Sequence, residues 1–93
     1  MYETILRHIQ TGVRAGSYVM TVHAEEEMND DGLLIFDVEA AILNGTITER
    51  QQDVATGEWK YLISGTSTAQ VAIEVVTKLR PNHRVVILTV YVL

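Results

Sequence analysis

The chain of 93 residues contains no cysteine and only one proline. The absence of cysteine excludes disulfides, thiolate zinc sites and a cysteine nucleophile. Long hydrophobic runs are also missing, because the longest one, over residues 85–93, is interrupted by Thr89. A run of this length is far short of the roughly 20 residues that span a bilayer. The first residues lack the apolar stretch of a signal peptide, so we expect a cytoplasmic protein that does not enter a membrane.

Positive charge is scarce as well. The chain has 7 Lys and Arg against 12 Asp and Glu, a net charge of −5, which argues against an ordinary basic nucleic-acid module. The deficit of positive charge lies in the first half of the chain, where residues 1–49 carry 2 basic and 9 acidic side chains. Residues 50–93 carry 5 basic and 3 acidic side chains. The second half is therefore mildly basic, and any nucleic-acid surface is expected there.

The spacing of the apolar residues predicts an α+β fold. We expect an N-terminal helix over 2–14, one strand over 17–23, a pair of helices over 24–30 and 35–44, and then a four-stranded antiparallel meander. The expected meander strands cover 46–53, 58–64, 71–78 and 84–93, with turns at 65–68 and at Pro81-Asn82. The first of these strands is polar, as is typical of a sheet edge. The last two are apolar on both faces, so at least one of them should be central.

The helix expected over 35–44 has an unusual start. If Asp37 is its third residue, its N-cap is Leu34, which has no side-chain oxygen to accept a backbone N–H. We therefore predict that a hydroxyl-bearing residue at this position would stabilise the protein.

Four short motifs follow one another along the chain. They are His23-Ala24-Glu25-Glu26-Glu27-Met28, Gly32-Leu33, Phe36-Asp37-Val38 and Leu88-Thr89-Val90-Tyr91. Over about residues 17–92 the chain resembles a bacterial family of domains of unknown function, whose pattern includes His-Ala-x-x-Arg-Met and a terminal Ile-Thr-Val-Tyr. That family is grouped with the RelE-like fold of small toxin ribonucleases such as RelE and MqsR. The resemblance implies a single RelE-like domain over residues 1–93, in which residues 1–16 form an additional N-terminal helix. It also implies RNA cleavage without a metal and an antitoxin as partner.

His23 is the first candidate catalytic residue. Histidine is the only side chain that titrates near neutral pH without a shift, so His23 suits a general acid or base. The alternative is a structural histidine that caps the helix or binds a carbonyl.

One turn later, Glu27 stands where the family pattern has arginine. An arginine could stabilise the charge that develops on phosphorus, whereas Glu27 would repel it and is then part of a solvated acidic surface. Arg50 or Arg80 would have to supply the cation instead.

The second group of candidates lies in the meander. Its members are Lys60, Lys78, Arg80, Thr89 and Tyr91. Together they could line a sheet face that holds an RNA backbone, with aromatic rings stacking on bases. The alternative is ordinary solvated cations at strand ends and aromatic residues in the core. Thr89 is notable because a hydroxyl in an apolar strand must find a hydrogen-bond partner.

Two functions are consistent with these residues. The first is a metal-independent RNA endonuclease that acts as the toxin of a toxin–antitoxin system, with His23 as acid or base and the meander cations as electrostatic partners. The second is a non-catalytic partner-binding domain on the same scaffold. The partners considered are single-stranded RNA, a zinc-ribbon antitoxin and a second copy of the chain. We predict no cofactor and no metal site, because the three histidines show no recognised ligand spacing.

Overall fold

The computed structural model describes residues 1–93 and contains three helices and one sheet of five strands. The helices are α1 (Glu3–Arg14), α2 (Val22–Asp30) and α3 (Ile35–Asn44). The strands are β1 (Tyr18–Met20), β2 (Thr46–Gln52), β3 (Trp59–Thr66), β4 (Ala72–Leu79) and β5 (Val85–Val92). The predicted α+β class is confirmed. None of the three helices combines the length and apolar character that a membrane-spanning helix requires.

β2 to β5 form the predicted antiparallel meander, and β1 extends the sheet to five strands. The strand order is β1-β5-β4-β3-β2, and β1 pairs with β5 in parallel, with Tyr18 beside Val85 and Met20 beside Ile87. The remaining pairs are antiparallel. β4 and β5 are both interior strands, as their two apolar faces predicted, and the polar β2 forms an edge.

The strand predicted over 17–23 is wrong in its second half. It ends at Met20, because Thr21 caps α2: its Oγ1 accepts the N–H of Ala24 at 3.1 Å and donates to the Leu88 carbonyl at 3.2 Å. The alternating apolar pattern that extended the prediction includes Val22, but this side chain is exposed on the first turn of the helix. His23 is therefore a residue of the first helical turn.

The core lies between the helices and one face of the sheet. α1 contributes Ile9 and Val13, α2 contributes Ala24 and Met28, and α3 contributes Val38, Ala41 and Ile42. The sheet contributes Ile63, Ile73, Val75, Val85, Ile87 and Val90. No helix packs on the opposite face, which antiparallel sheets can present to solvent.

The turn predicted over 65–68 is displaced, because Gly65 and Thr66 belong to β3. Gly65 is required for close packing: a Cβ at this position would lie 2.1 Å from the Ala41 carbonyl oxygen of α3. The turn comes after it and is organised by Ser67, whose Oγ accepts the N–H groups of Ala69 and Val71. The predicted turn at Pro81-Asn82 is confirmed by a hydrogen bond of 2.8 Å from the His83 N–H to the Arg80 carbonyl.

A β-bulge interrupts β5 and changes which of its side chains face the core. Val76 pairs with Thr89 but the next residue, Thr77, pairs with Ile87, which leaves Leu88 as the extra residue. Before the bulge Val85 and Ile87 are buried, and after it Val90 is buried. The bulge thereby turns Thr89 toward the open face of the sheet.

Candidate functional site

The open face of the sheet carries a concavity of about 300 Å³. Three of the predicted site residues line it, namely Lys60 from β3, Lys78 from β4 and Thr89 from β5. The remaining lining residues are Gln51, Asp53, Val76 and Leu88. Lys60, Gln51 and Lys78 come to this face by the two-residue alternation of their strands, whereas Thr89 comes to it through the bulge.

The two lysines are neighbours across the β3–β4 pair. Tyr61 lies opposite Thr77, so the same antiparallel register continued by one residue puts Lys60 opposite Lys78. Like charges in this position repel. Lys78 is only 14% exposed, and its Nζ lies 2.9 Å from Glu58 Oε1. This hydrogen bond, together with the positive charge of Lys78, lowers the pKa of the Glu58 carboxyl below its usual value.

Asp53 is the carboxylate that lines the concavity. Its Oδ1 accepts the N–H of Ala55 at 2.9 Å and that of Thr56 at 3.3 Å. These backbone hydrogen bonds, helped by the charges of Lys60 and Lys78, lower the pKa of Asp53. Two lysines and two ionised carboxylates therefore meet in this region, and its charge is balanced rather than strongly positive.

Thr89 and Tyr91 both lie on the open face. Thr89 pairs with Val76 and Tyr91 pairs with Glu74. Thr89 lines the concavity, and its hydroxyl makes no hydrogen bond to another protein group. The threonine that does find a partner within the sheet is Thr77, which is fully buried and donates to the Tyr61 carbonyl at 3.2 Å. The Thr89 hydroxyl is thus available to a bound molecule.

His23 lies at the β5 edge of the sheet, beyond the end of β1. Its side chain is 68% exposed and its Nε2 lies 3.2 Å from Glu27 Oε1. The same oxygen of Glu27 accepts the Val90 N–H at 3.1 Å. Val90 stands between Thr89 and Tyr91, so this hydrogen bond fixes Glu27 beside the strand that carries both residues, and His23 lies at ion-pair distance from it. A carboxylate that holds one imidazole nitrogen is the usual arrangement for orienting a general base.

The interpretation of Glu27 as part of a solvated acidic surface is wrong. Its side chain is 27% exposed and accepts a backbone N–H of β5. The other acidic residues of this region, Glu25, Glu26, Asp30 and Asp31, are exposed. Glu27 is held in place because β1 is too short to pair with the whole of β5, and the edge N–H of Val90 requires an acceptor.

Neither arginine that could replace the missing family arginine lies near His23. Arg50 is on β2, at the opposite edge of the sheet, and its guanidinium stacks 4.0 Å from the centre of the Trp59 ring. Three strand spacings, roughly 14 Å, separate β2 from β5. Arg80 follows β4, five residues beyond the Val75 that pairs with Val90, which is roughly 16 Å along an extended chain. Neither arginine therefore takes the place of the family arginine beside His23.

The predicted site residues are thus only partly brought together. Lys60, Lys78 and Thr89 share one concavity, Tyr91 lies on the same face, His23 lies at the edge of β5, and Arg80 lies outside the concavity at the end of β4. Sequence reasoning missed Gln51, Asp53 and Glu58. The two-residue alternation of β2 could have predicted that Gln51 lies on the open face. The ion pair between Glu58 and Lys78 could not be predicted, because it depends on a strand pairing that the sequence does not reveal.

The fold and site define a small α+β domain with helices on one face of its sheet and an open, polar second face. The chain belongs to the family described as Domain of unknown function (DUF4258), which matches residues 20–92. The match leaves out the whole of α1 and the first two residues of β1. No curated protein and no solved structure matches the chain.

Proposed function

We propose that the protein is a metal-independent RNA endonuclease of the toxin type, and that it binds single-stranded RNA across the open face of the sheet. The observation that carries this proposal is the convergence of Lys60, Lys78 and Thr89 on one concavity, with His23 held by Glu27 at the adjoining edge of β5. The lysines suit a phosphodiester, and the Thr89 hydroxyl suits a hydrogen bond to phosphate or ribose.

The reaction follows from the groups present. The 2′ hydroxyl oxygen of RNA bonds to the adjacent phosphorus, the bond from phosphorus to the 5′ oxygen breaks, and the products are a 2′,3′-cyclic phosphate and a 5′ hydroxyl. His23 exchanges a proton with the attacking or the departing oxygen, and water supplies the complementary exchange. Lys60 and Lys78 stabilise the negative charge on the non-bridging oxygens. Glu27 holds His23 in position and takes no direct part.

The experiment is cleavage of a fluorescent single-stranded RNA in the presence of EDTA by the wild type, His23→Ala and His8→Ala. The two variants carry the same substitution, but His8 lies on α1, away from the open face. We expect cleavage by the wild type and by His8→Ala, and a loss of about 10²-fold or more in His23→Ala, the scale of general acid–base catalysis. Equal activity of the two variants would remove His23 from the mechanism.

A second candidate function is a partner-binding domain without catalysis. It is favoured by the ion pair that neutralises Lys78 and by two exposed apolar side chains at the start of α3, Leu34 (63% exposed) and Phe36 (65% exposed). The exposed carboxylates of α2 and the loop after it suit a basic partner such as an antitoxin. No cleavage of RNA by the wild type, together with a purified complex that is lost in Phe36→Asp, would support this function over the first.

A further inference from the structure

Two histidines that are distant in sequence meet on the side of the molecule formed by α1 and the β4–β5 turn. The rings of His8 and His83 are perpendicular, and their centroids lie 4.7 Å apart. They line a hollow of about 310 Å³ together with Thr11, Ser17 and Asn82, among others. Both histidines are exposed, and neither imidazole makes a hydrogen bond or an ion pair within the protein.

The backbone of His83 adopts a conformation that favours glycine. The turn is a three-residue hairpin loop, in which the Arg80 N–H binds the Arg84 carbonyl at 2.9 Å and the His83 N–H binds the Arg80 carbonyl at 2.8 Å. The last residue of such a loop is left-handed and is usually glycine. His83 holds this position with φ of 62°. His83 thus combines a backbone conformation that is rare for residues other than glycine with a side chain that binds no other group of the protein. Such a combination is a reason to infer a function.

The approach of the two histidines depends on Gly12, one helical turn after His8. A Cβ at Gly12 would lie 2.8 Å from Val85 Cγ2 and 3.8 Å from the His83 carbonyl oxygen. The missing side chain lets the turn and the start of β5 lie against α1. The hydrogen bonds of the turn and the packing at Gly12 therefore hold the backbones that carry the two histidines close together before any ligand binds.

We propose that His8 and His83 form a binding site for a divalent transition cation such as Zn²⁺. Imidazole nitrogen binds zinc at about 2.0–2.1 Å, so two rings that share one ion have centroids about 4.5–5.5 Å apart. The observed centroid separation lies in this range, and because both side chains are exposed the rings can turn from their edge-to-face arrangement to direct one nitrogen each at the ion. No group of three or more His, Cys, Asp or Glu side chains forms a metal cluster, so water or a bound molecule completes the coordination. The site is independent of the open face of the sheet and of the proposed nuclease function.

The test is the effect of Zn²⁺ on the thermal unfolding of the protein without an affinity tag. A ligand that binds the folded state raises Tm as its concentration rises above Kd. We expect Zn²⁺ to raise the Tm of the wild type and of His23→Ala, which keeps both ligands and serves as the matched control. His8→Ala and His83→Gly should lose this rise. Mg²⁺, which prefers oxygen ligands, should leave all four proteins unchanged.

His83→Gly separates metal binding from folding. Glycine adopts positive φ without strain, so this variant should have a Tm without metal that is at least that of the wild type. A wild type whose Tm does not respond to Zn²⁺ would overturn the proposal. So would a His83→Gly variant that keeps the full response, or a His23→Ala variant that loses it.

Discussion

At the scale of single residues, Leu34 is the position at which a substitution is most clearly expected to stabilise the protein. It is the N-cap of α3, with extended backbone and a side chain that is 63% exposed. Only half of a capping box is formed, because Asp37 Oδ2 accepts the Leu34 N–H at 2.8 Å but Leu34 has no acceptor to offer in return. We predict that Leu34→Thr raises the free energy of unfolding by about 0.5–1.5 kcal/mol, measured by urea denaturation.

The matched control for this prediction is Leu34→Ala, which removes the same apolar side chain without adding a hydroxyl. We expect it to have the stability of the wild type or slightly less. If Leu34→Thr and Leu34→Ala behaved alike, the hydroxyl would not be acting as a cap.

Asp37 makes the stability of the protein depend on pH in the acid range. Its Oδ1 accepts the Oγ1–H and N–H of Thr68, and its Oδ2 accepts the Leu34 N–H. These hydrogen bonds lower the pKa of Asp37 below its ordinary value of 3.8, the bond from the Thr68 hydroxyl most of all. Because the pKa is lower in the folded state, the stabilisation is fully present above pH 3.8 and is lost as the pH falls through the lowered pKa.

The corresponding variant is Asp37→Asn. We predict that it is less stable than the wild type at pH 7, because an amide offers one acceptor oxygen where the carboxylate offers two. Its stability should also fall less steeply between pH 4 and pH 2, as measured by urea unfolding at each pH. A variant that loses stability with acid as steeply as the wild type would show that other carboxylates are responsible.

Some of these residue roles could be predicted from the sequence and others could not. The buried positions of Ala24 and Met28 follow from helical spacing, and the bare N-cap at Leu34 follows from the residue type. The role of Glu27 does not, because the Val90 N–H that it binds is 63 residues away. A run of three glutamates looks like a solvated surface until the neighbouring strand edge is known.

At the scale of secondary structure, α2 completes an edge that β1 leaves unpaired. β1 covers β5 only from Val85 to Ile87. Beyond it, Thr21 binds the Leu88 carbonyl and Glu27 binds the Val90 N–H. Side chains of α2 and its N-cap thus replace the missing strand and protect the edge from pairing with another chain.

We predict that Glu27→Ala lowers the free energy of unfolding by about 1–3 kcal/mol, because the Val90 N–H loses its acceptor. The Val90 amide should also exchange with deuterium faster than in the wild type. Glu27→Gln keeps a carbonyl oxygen at the same position, so it should retain most of the stability and of the protection. Equal stability of the two variants would show that the acceptor is not what matters.

The close packing of α3 against β3 requires glycine at position 65. We predict that Gly65→Ala is destabilising by at least about 1–3 kcal/mol, since its Cβ would lie 2.1 Å from the Ala41 carbonyl oxygen and backbone must move. Gly57→Ala is the control for a general effect of losing glycine, because a Cβ there meets no atom within 4 Å although φ is positive. Chemical denaturation gives the loss of unfolding free energy in each variant. A loss in Gly65→Ala no larger than that in Gly57→Ala would show that the close contact with Ala41 is not the cause.

The elements themselves were easier to predict than their details. Helical and two-residue periodicity predicted three helices and five strands, since each is a local property. The sequence did not reveal that Thr21 caps α2, that β3 extends through Thr66, or that a bulge forms at Leu88. Each of these depends on a contact with an element distant in sequence, and the bulge decides that Thr89 faces the candidate site.

At the scale of the whole molecule, the surplus of acidic side chains lies apart from the lysines of the second half of the chain. The exposed carboxylates at 25, 26, 30 and 31 lie on α2 and directly after it, beside the β5 edge. Lys60 and Lys78 lie on the open face of the sheet, where Glu58 and Asp53 balance them. The net charge of −5 therefore does not exclude the proposed RNA binding, but only two lysines face the phosphates, so this binding should be weak and should depend only shallowly on salt.

The most direct test of the proposed nuclease is the chemistry of its products. An RNA oligonucleotide and its all-deoxy counterpart are incubated with the protein in EDTA, and the new 3′ ends are identified by mass spectrometry. We predict 2′,3′-cyclic phosphate ends from the RNA, no cleavage of the DNA, and loss of the cyclic ends when His23 is replaced by alanine. Intact RNA with the wild-type protein, or the same cyclic ends at the same rate from His23→Ala, would contradict the assignment of this site.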